Sequence, residues 1–309
     1  MRLVLLVVAA ARSDTGLLRE TCPNVNYAPY AQRTFGMFYG GNPEVGYTDL
    51  AAFHGRYLLE IGGPTPATAI YAHVAGADNV VERPLYEYFA AFSTSAQAPR
   101  SDADAVDGAP YAPEGSPIGR TFLRHGARLA GIADAAYDAV LSSHNLEHFL
   151  DPLEALREWD RVLRPEGLLV LVLPQAFNCT DKHRTPASMQ ELLAIRAAAA
   201  RGGLDPLRRH YHELFVRTFD DIDRDFDPWG LNVTADTDAR RAVIRRETTD
   251  ERGAPRENVL HWHIWDWDLM EEAVAGCLGY EILSLWLQPP EPPSYCPYHQ
   301  VLVARKPAL

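Results

Sequence analysis

The pattern of apolar and polar positions is most regular over residues 134–174. Tyr137 to Ser142 is a short apolar run that ends in polar residues, and residues 168–173 are six consecutive apolar residues. Such runs are typical of strands buried on both faces of a parallel sheet. Between them, residues 151–163 place apolar side chains at helical spacing. The segment therefore predicts a strand–helix–strand unit with right-handed, parallel pairing.

Local signals mark both ends of the helix in this unit. Asp151 can cap the free backbone N–H groups, Pro152 suits the first helical position, and Glu154 completes a predicted capping box. Residues 164–167, with the sequence RPEG, predict the end of the helix.

Weaker patterns predict further elements of the same sheet. Residues 57–61 read as a buried strand and residues 79–82 as a short second strand. Near the C-terminus, a helix is predicted over residues 268–277, followed by strands at 280–287 and 300–304. A Pro-rich turn separates the last two strands, so we expect them to form an antiparallel pair that closes an α/β sheet.

The remaining segments are less regular and suggest how the chain is organised. Residues 93–119 are rich in Ala, Ser, Asp, Gly and Pro and predict a surface loop, whereas residues 189–200 predict a helix within a charged stretch. The predicted organisation is an irregular cap at 12–54, a core at 55–177, an insertion at 178–260 and a C-terminal part at 261–309 that completes the core sheet.

Charge and cysteine usage exclude two classes of function. The 309-residue chain has a formal net charge of -12 with scattered arginines, whereas nucleic-acid binders need clustered Lys and Arg for phosphate contacts. None of the four cysteines lies in CxxC spacing, which argues against a cysteine-rich zinc site.

The first eleven residues, MRLVLLVVAAA, allow two interpretations. They fit a secretory signal peptide, which would place the protein in the secretory pathway, or a buried first strand or helix of a cytoplasmic protein. The run is too short to span a bilayer, and no later segment reaches that length, so we expect no membrane span.

Polar or backbone-permissive residues follow the predicted strands at their carboxyl ends, where α/β sheets bind ligands. Glu60, Gly62 and Gly63 follow the first strand, and residues 142–145, SSHN, follow the strand of the regular unit. Glycines let the backbone approach a ligand closely. An acidic residue beyond the second strand would accept hydrogen bonds from ribose hydroxyls. The pattern is that of a nucleoside cofactor pocket.

Residues 137–174 also carry a long and specific motif. The sequence YDAVLSSHNLEH at 137–148 continues through DP at 151–152, LREW at 156–159, RVLRP at 161–165 and LVLP at 171–174. It resembles the S-adenosylmethionine-dependent class I methyltransferases of the type 11 group. In that group the first loop often reads LEIGGP, which residues 59–64 match, so Pro64 is a variant that the group tolerates.

The resemblance continues more thinly toward the C-terminus. Residues 181–186, DKHRTP, are similar to a DHRRP segment of the group but one residue longer, and residues 260–266, LHWHIWD, are the counterpart of LHHHVFD. The closing VARK matches residues 303–306. The resemblance therefore spans residues 57–306, with gaps.

This resemblance implies a Rossmann-like, seven-stranded, mostly parallel sheet with helices on both faces, an antiparallel last strand and an inserted lid segment. It implies S-adenosyl-L-methionine as the cofactor, no metal, and a small-molecule or glycan acceptor. Three histidines are candidate bases, because histidine titrates near neutrality. The expected bases are His144, His148 and His183. The expected cofactor contacts are Glu60, Gly62, Gly63, Pro64, Asp78, Glu82, Arg128, Ser143, His144 and Asn145, and the expected acceptor contacts are Arg184, His261 and His263.

The chain departs from the group near the adenine site. Relatives carry a DATDLS-like segment, and Arg128 stands where an acidic residue is expected. The ribose contact has two candidates, because Glu82 lies where the second strand should end and Asp78 belongs to a DN pair found in relatives. These departures leave a catalytically silent, methyltransferase-like binding module as the alternative. A nicotinamide-dependent oxidoreductase fits poorly, because Pro64 spoils the GxGxxG spacing.

Two histidine-rich segments, residues 210–213 and 261–263, could suggest a metal site. Neither offers a third ligand of clear spacing, so we expect neither to bind metal. His261 and His263 are expected to line the acceptor pocket instead.

Overall fold

The computed structural model describes residues 53–62, 74–81, 106–111, 117–174, 184–218, 237–257, 260–287 and 299–308. Within these ranges, eight strands form one sheet. The strands are β1 (Tyr57–Ile61), β2 (Gly76–Val81), β3 (Pro110–Tyr111), β4 (Gly119–Leu123), β5 (Tyr137–Ser143), β6 (Leu163–Pro174), β7 (Glu281–Leu287) and β8 (His299–Arg305).

The strand order is β3-β4-β2-β1-β5-β6-β8-β7. The five strands from β4 to β6 are parallel to one another. β8 runs antiparallel to both β6 and β7, and the short β3 runs antiparallel to β4. The mostly parallel α/β sheet with an antiparallel closing pair is thereby confirmed, although the described residues form eight strands rather than the expected seven, with the short β3 at one edge. β2 and β4 lie on one side of β1, and β5 and β6 lie on the other. The strand order therefore changes direction at β1, and its carboxyl end lies at the switch point where ligands bind in such sheets.

Four strands differ from the sequence-based expectation. β3 lies inside the predicted surface loop 93–119, β4 follows it where no strand was predicted, β2 begins at Gly76 rather than Asn79, and β6 begins at Leu163 rather than Leu168. The first and third of these depend on contacts distant in the sequence: β3 pairs with β4, and the polar Asp78 within β2 is bonded by tyrosines of β1 and β5. Neither contact leaves a periodic signal in the local sequence.

Helix α1 (Pro152–Val162) connects β5 and β6 as predicted. Asp151 caps it by accepting a hydrogen bond from Glu154 N at 3.2 Å, and Pro152 occupies the first turn. In the predicted capping box the carboxylate of Glu154 would accept a hydrogen bond from Asp151 N. In the structure this carboxylate forms an ion pair with Arg128 instead. A short 3₁₀ turn, Leu146–His148, lies between β5 and α1.

The predicted insertion contains α2 (Met189–Ala200), at the predicted bounds, α3 (Leu204–Arg217) and α4 (Thr237–Thr248). Ser188 and Glu191 form a capping box at the start of α2. α5 (Trp267–Glu271) continues as a π-helical segment, Glu272–Cys277, over the predicted C-terminal helix. Among the described residues, no helix has the length and apolar character needed to cross a membrane.

Buried apolar residues form three clusters. The largest packs α1, α2 and α5 on one face of the sheet, and a second lies on the other face around Leu58, Leu141 and Val303. A third joins Leu150 to α3, α4 and Leu260. This third cluster fixes the segment after residue 260 beside the turn that follows β5.

Candidate active site

The carboxyl ends of β1 and β5 meet at two residues that the sequence analysis singled out. Gly62 has a positive φ of 82°, and its backbone N–H donates to Val80 O at 2.8 Å. A Cβ at this glycine would lie 3.1 Å from Asn145 Cγ. The amide side chain of Asn145 therefore lies directly against the glycine turn, and the two predicted cofactor residues share one surface.

His144, at the end of β5, has an unusual backbone. Its φ of 50° lies in the left-handed region, which residues other than glycine adopt uncommonly, histidine more often than most. A hydrogen bond from His144 N to Val172 O, at 2.9 Å, fixes this conformation. Such strain concentrates at functional sites. Its predecessor Ser143, the last residue of β5, is nearly buried and pairs with Val172.

A buried carboxylate lies among the histidines of this turn. Glu147 is only 1% exposed, and its Oε1 lies 3.6 Å from His144 Nδ1 and 3.9 Å from His148 Nε2. The imidazole of His261 meets that of His148 edge to face, with 4.8 Å between ring centroids. The structure thus brings together two predicted bases and one predicted acceptor contact around an acid that the sequence analysis did not assign.

Three links hold His261 in this cluster. Trp262 N donates to Glu147 O at 2.9 Å, and His148 Nδ1 donates to Leu260 O at 3.1 Å. The guanidinium of Arg184 donates to His261 O at 2.6 Å and to Trp262 O at 2.9 Å. Arg184, expected to bind the acceptor, is therefore placed to position the backbone of residues 261–262.

His263 does not line a pocket, contrary to expectation. It is 1% exposed, and its Nε2 donates to Leu150 O at 2.9 Å. Burial lowers the pKa of His263 to about 4. Residues 261–266 form neither a helix nor a strand, so no regular periodicity places His261 and His263 in the same environment. His263 is a neutral core residue near neutral pH.

Asp78 also has a structural environment rather than the expected ribose contact. Its carboxylate accepts hydrogen bonds from Tyr57 OH at 2.9 Å, Tyr137 OH at 2.7 Å and Arg120 N at 2.8 Å. Burial, and after it the hydrogen bond to Asp78, raises the pKa of Tyr57 to about 12 and also raises that of Tyr137. Both hydroxyls therefore stay protonated as donors. Asp78 lies three residues before the end of β2, which leaves Glu82 as the predicted ribose ligand.

Glu60 has a similar internal partner. It is fully buried within β1, and its carboxylate accepts a hydrogen bond from Tyr111 OH of β3. This contact ties the end of β1 to the outer strand of the sheet, so we assign Glu60 to positioning the glycine turn.

The loop after β4, which contains Arg128, is held by α1. Trp159 Nε1 donates to Gly126 O at 2.8 Å, and Glu158 accepts from Leu129 N at 3.0 Å. The side chain of Arg128 is 65% exposed, and its Nε lies 3.4 Å from Glu154 Oε1. In the structure Arg128 pairs with the first turn of α1, and its contact with the cofactor stays a prediction.

Four predicted site residues lie outside the described ranges: Gly63, Pro64, Glu82 and His183. The site residue that sequence reasoning missed is Glu147. The sequence offers one signal for Glu147. It lies three residues after His144 and one residue before His148, so all three belong to the short segment that follows β5.

Comparisons with known proteins bear on the family. Residues 108–171 match the family model for a methyltransferase domain. No curated protein sequence matches the chain significantly.

Solved structures of methyltransferases are similar to the chain at low identity. An arsenic(III) S-adenosylmethionine methyltransferase from Chlamydomonas reinhardtii is 22% identical over 39% of each chain, with a TM-score of 0.29. The chain thus spans about two fifths of that protein. A SAM-dependent methyltransferase from Methanosarcina mazei is 12% identical, with 84% of this chain and 97% of that chain covered and a TM-score of 0.40.

A third similar structure is the 1,6-didemethyltoxoflavin-N1-methyltransferase of Burkholderia thailandensis, which contains 1,6-didemethyltoxoflavin and S-adenosylhomocysteine. It is 10% identical, with 99% of this chain and 87% of that chain covered and a TM-score of 0.41. All three TM-scores lie below 0.5, so the family likeness rests on the domain match. Residues 108–171 match a methyltransferase-domain model, and the strands within this range belong to the mostly parallel, Rossmann-like sheet described above.

Proposed function

We propose that the protein transfers the methyl group of S-adenosyl-L-methionine to a small-molecule or glycan acceptor at the carboxyl ends of β1 and β5. The acceptor atom attacks the methyl carbon, the carbon–sulfur bond breaks, and S-adenosyl-L-homocysteine leaves. The donor is already activated by its sulfonium charge. The protein therefore has to align donor and acceptor and, for an acceptor that loses a proton, to supply a base.

The donor side of the proposed site is the surface where Gly62 meets Asn145. The side chain of Asn145 lies where a Cβ on Gly62 would come within 3.1 Å, so backbone and amide groups can both approach a ligand there. Ser143 is a further candidate for contact with the donor, because it is the last residue of β5. Contacts of Gly63, Pro64 and Glu82 with the donor remain predictions from the resemblance.

The observation that carries the proposed proton transfer is the contact of His144 with Glu147. His144 Nδ1 lies 3.6 Å from the buried carboxylate, which would stabilise the imidazolium formed when the ring accepts a proton. The side chain of His144 is 36% exposed, against 21% for His148, so His144 is the more accessible to an acceptor. We assign the base role to His144 and a supporting role to His148.

The alternative function is a catalytically silent binding module, and the main observation that suggested it is Arg128 in place of an acidic residue. That guanidinium is paired with Glu154 and is largely exposed, so it does not introduce an uncompensated charge into a buried pocket. His144 Nδ1 lies 3.6 Å from the buried Glu147, an arrangement that suits proton transfer and that a binding scaffold does not need.

The experiment has two readouts on one set of variants. Isothermal titration with S-adenosylhomocysteine measures donor-site binding, and transfer from methyl-labelled S-adenosylmethionine to small-molecule and glycan fractions of a cell extract measures catalysis. His144→Asn should retain the binding affinity within about threefold and reduce transfer by about a hundredfold or more. His210→Asn, on an exposed position of α3, is the matched control and should leave both unchanged.

Binding without transfer in the wild-type protein would favour the silent module. Wild-type transfer that survives His144→Asn at an unchanged rate would refute the base assignment while leaving the methyltransferase activity in place.

A further inference from the structure

We propose that Glu147, His148 and His261 form a binding site for a divalent first-row transition-metal ion. One ligand atom from each of these residues lies within 4.8 Å of the other two. A carboxylate with two imidazoles is a ligand set suited to zinc, iron, cobalt and nickel ions. The inference goes beyond the proposed methyl transfer and replaces the sequence-based expectation that no metal is bound.

The tautomer of His148 is the first argument. Its Nδ1 lies 3.1 Å from Leu260 O, and a carbonyl oxygen can only accept a hydrogen bond. Nδ1 therefore carries the proton, and in the neutral ring Nε2 presents a lone pair toward Glu147 Oε1 at 3.9 Å. Metal-binding histidines characteristically donate their other ring N–H to a carbonyl or carboxylate in this way.

The electrostatics of the cluster are the second argument. A carboxylate that is 1% exposed loses most of its hydration, and burying a charge is costly unless a positive partner compensates it. Two histidine nitrogens approach this carboxylate, at 3.6 and 3.9 Å. A divalent cation bound between Glu147, His148 and His261 would be attracted to the same acid.

The preorganisation of the cluster is the third argument. Trp262 N donates to Glu147 O, and Arg184 bonds the carbonyls of His261 and Trp262. Together with the His148–Leu260 bond, these links hold the 3₁₀ turn and the segment at 260–262 in one arrangement. Coordination at metal–ligand distances of about 2.1 Å requires the ligand atoms to close by roughly 1 Å, which rotation of two half-buried imidazoles can supply.

The site would leave coordination positions for a molecule other than protein. Three protein ligands are typical of zinc sites that keep an open position for water or substrate. His144 contacts the same carboxylate, with its Nδ1 3.6 Å from Glu147 Oε1. An acceptor oxygen bound to the ion would therefore come close to the base assigned above.

Titration of the tag-free, chelator-treated protein with Co²⁺ tests the site without donor or acceptor, so its result is independent of methyl transfer. Visible d–d absorption should saturate at one Co²⁺ per chain. His261→Asn should weaken Co²⁺ binding by about tenfold or more, as should Glu147→Gln, because each removes a ligand. The control His210→Asn should bind as the wild type does.

Absence of saturation up to about 1 mM Co²⁺ would overturn the proposal, because the affinity would then be too weak to matter. Equal affinities of His261→Asn and His210→Asn would overturn it as well. If Glu147→Gln fails to fold by circular dichroism, His261→Asn decides, since His261 is only partly buried.

Discussion

The carboxylate of Asp78 gives the sharpest test of how this sheet is held together. It accepts hydrogen bonds from Tyr137 OH, Tyr57 OH and Arg120 N, at 2.7, 2.9 and 2.8 Å. Asp78→Ala removes all three acceptor contacts. Leaving a buried donor unsatisfied costs about 1–3 kcal/mol. The Tyr137 hydroxyl is buried, whereas Tyr57 is partly exposed and can bond water, so we expect a total loss of about 3–5 kcal/mol.

Asp78→Asn is the matched control, because it preserves the size of the side chain and one acceptor oxygen. It should cost about 1–2 kcal/mol, less than the alanine variant. Tyr137→Phe removes one of the three bonds. In a double-mutant cycle, Asp78→Ala and Tyr137→Phe should be coupled by about 1–2 kcal/mol, since they remove the same hydrogen bond. Urea unfolding followed by circular dichroism measures each free energy.

The same variants separate a structural role for Asp78 from a ribose contact. Asp78→Asn should bind S-adenosylhomocysteine with an affinity within about threefold of the wild type, because the carboxylate is engaged inside the sheet. A folded Asp78→Asn protein that loses more than about tenfold in affinity would refute this reasoning. So would Asp78→Ala with less than about 1 kcal/mol of lost stability.

Three further variants test other parts of the account. Gly62→Ala should lose about 1–2 kcal/mol of stability from its positive φ and should also bind S-adenosylhomocysteine more weakly, whereas Gly253→Ala, with a φ of 76° and no atom near its Cβ, should lose stability alone. Burial lowers the pKa of His212 below its usual 6.5, so the unfolded chain binds a proton first as the pH falls. Urea unfolding should show stability declining below about pH 6.5, and His212→Gln should make that decline shallower, while His263 with its pKa of about 4 still contributes to it. Trp159→Phe removes the bond to Gly126 O and should cost about 1–3 kcal/mol by the same assay; an unchanged midpoint would contradict this.

Elements with local signals were predicted from the sequence. Asp151 and Pro152 mark the start of α1, because capping uses residues within one turn of each other, and α2 has its predicted bounds. The first residues of β2 were not predicted. Asp78 appears polar in the sequence, and hydrogen-bond donors 21, 42 and 59 residues away, on Tyr57, Arg120 and Tyr137, make its burial favourable.

Within the candidate site too, local signals predicted some residues, and contacts between distant segments were not predicted. Gly62, His144 and Asn145 follow from the rule that ligands bind at the carboxyl ends of parallel strands, and the structure brings them together. The approach of His261 to Glu147 could not be inferred. It depends on backbone bonds between segments 112 residues apart, as between His148 and Leu260, and no periodicity records such a contact. The same limitation concealed the burial of His263.

A crystal structure of the protein with S-adenosylhomocysteine tests the central claim most directly. The account predicts the ligand across the carboxyl ends of β1 and β5, with Gly62 and Asn145 within about 4 Å of it. A ligand bound elsewhere on the protein, with the Gly62–Asn145 surface covered by protein side chains, would contradict the account.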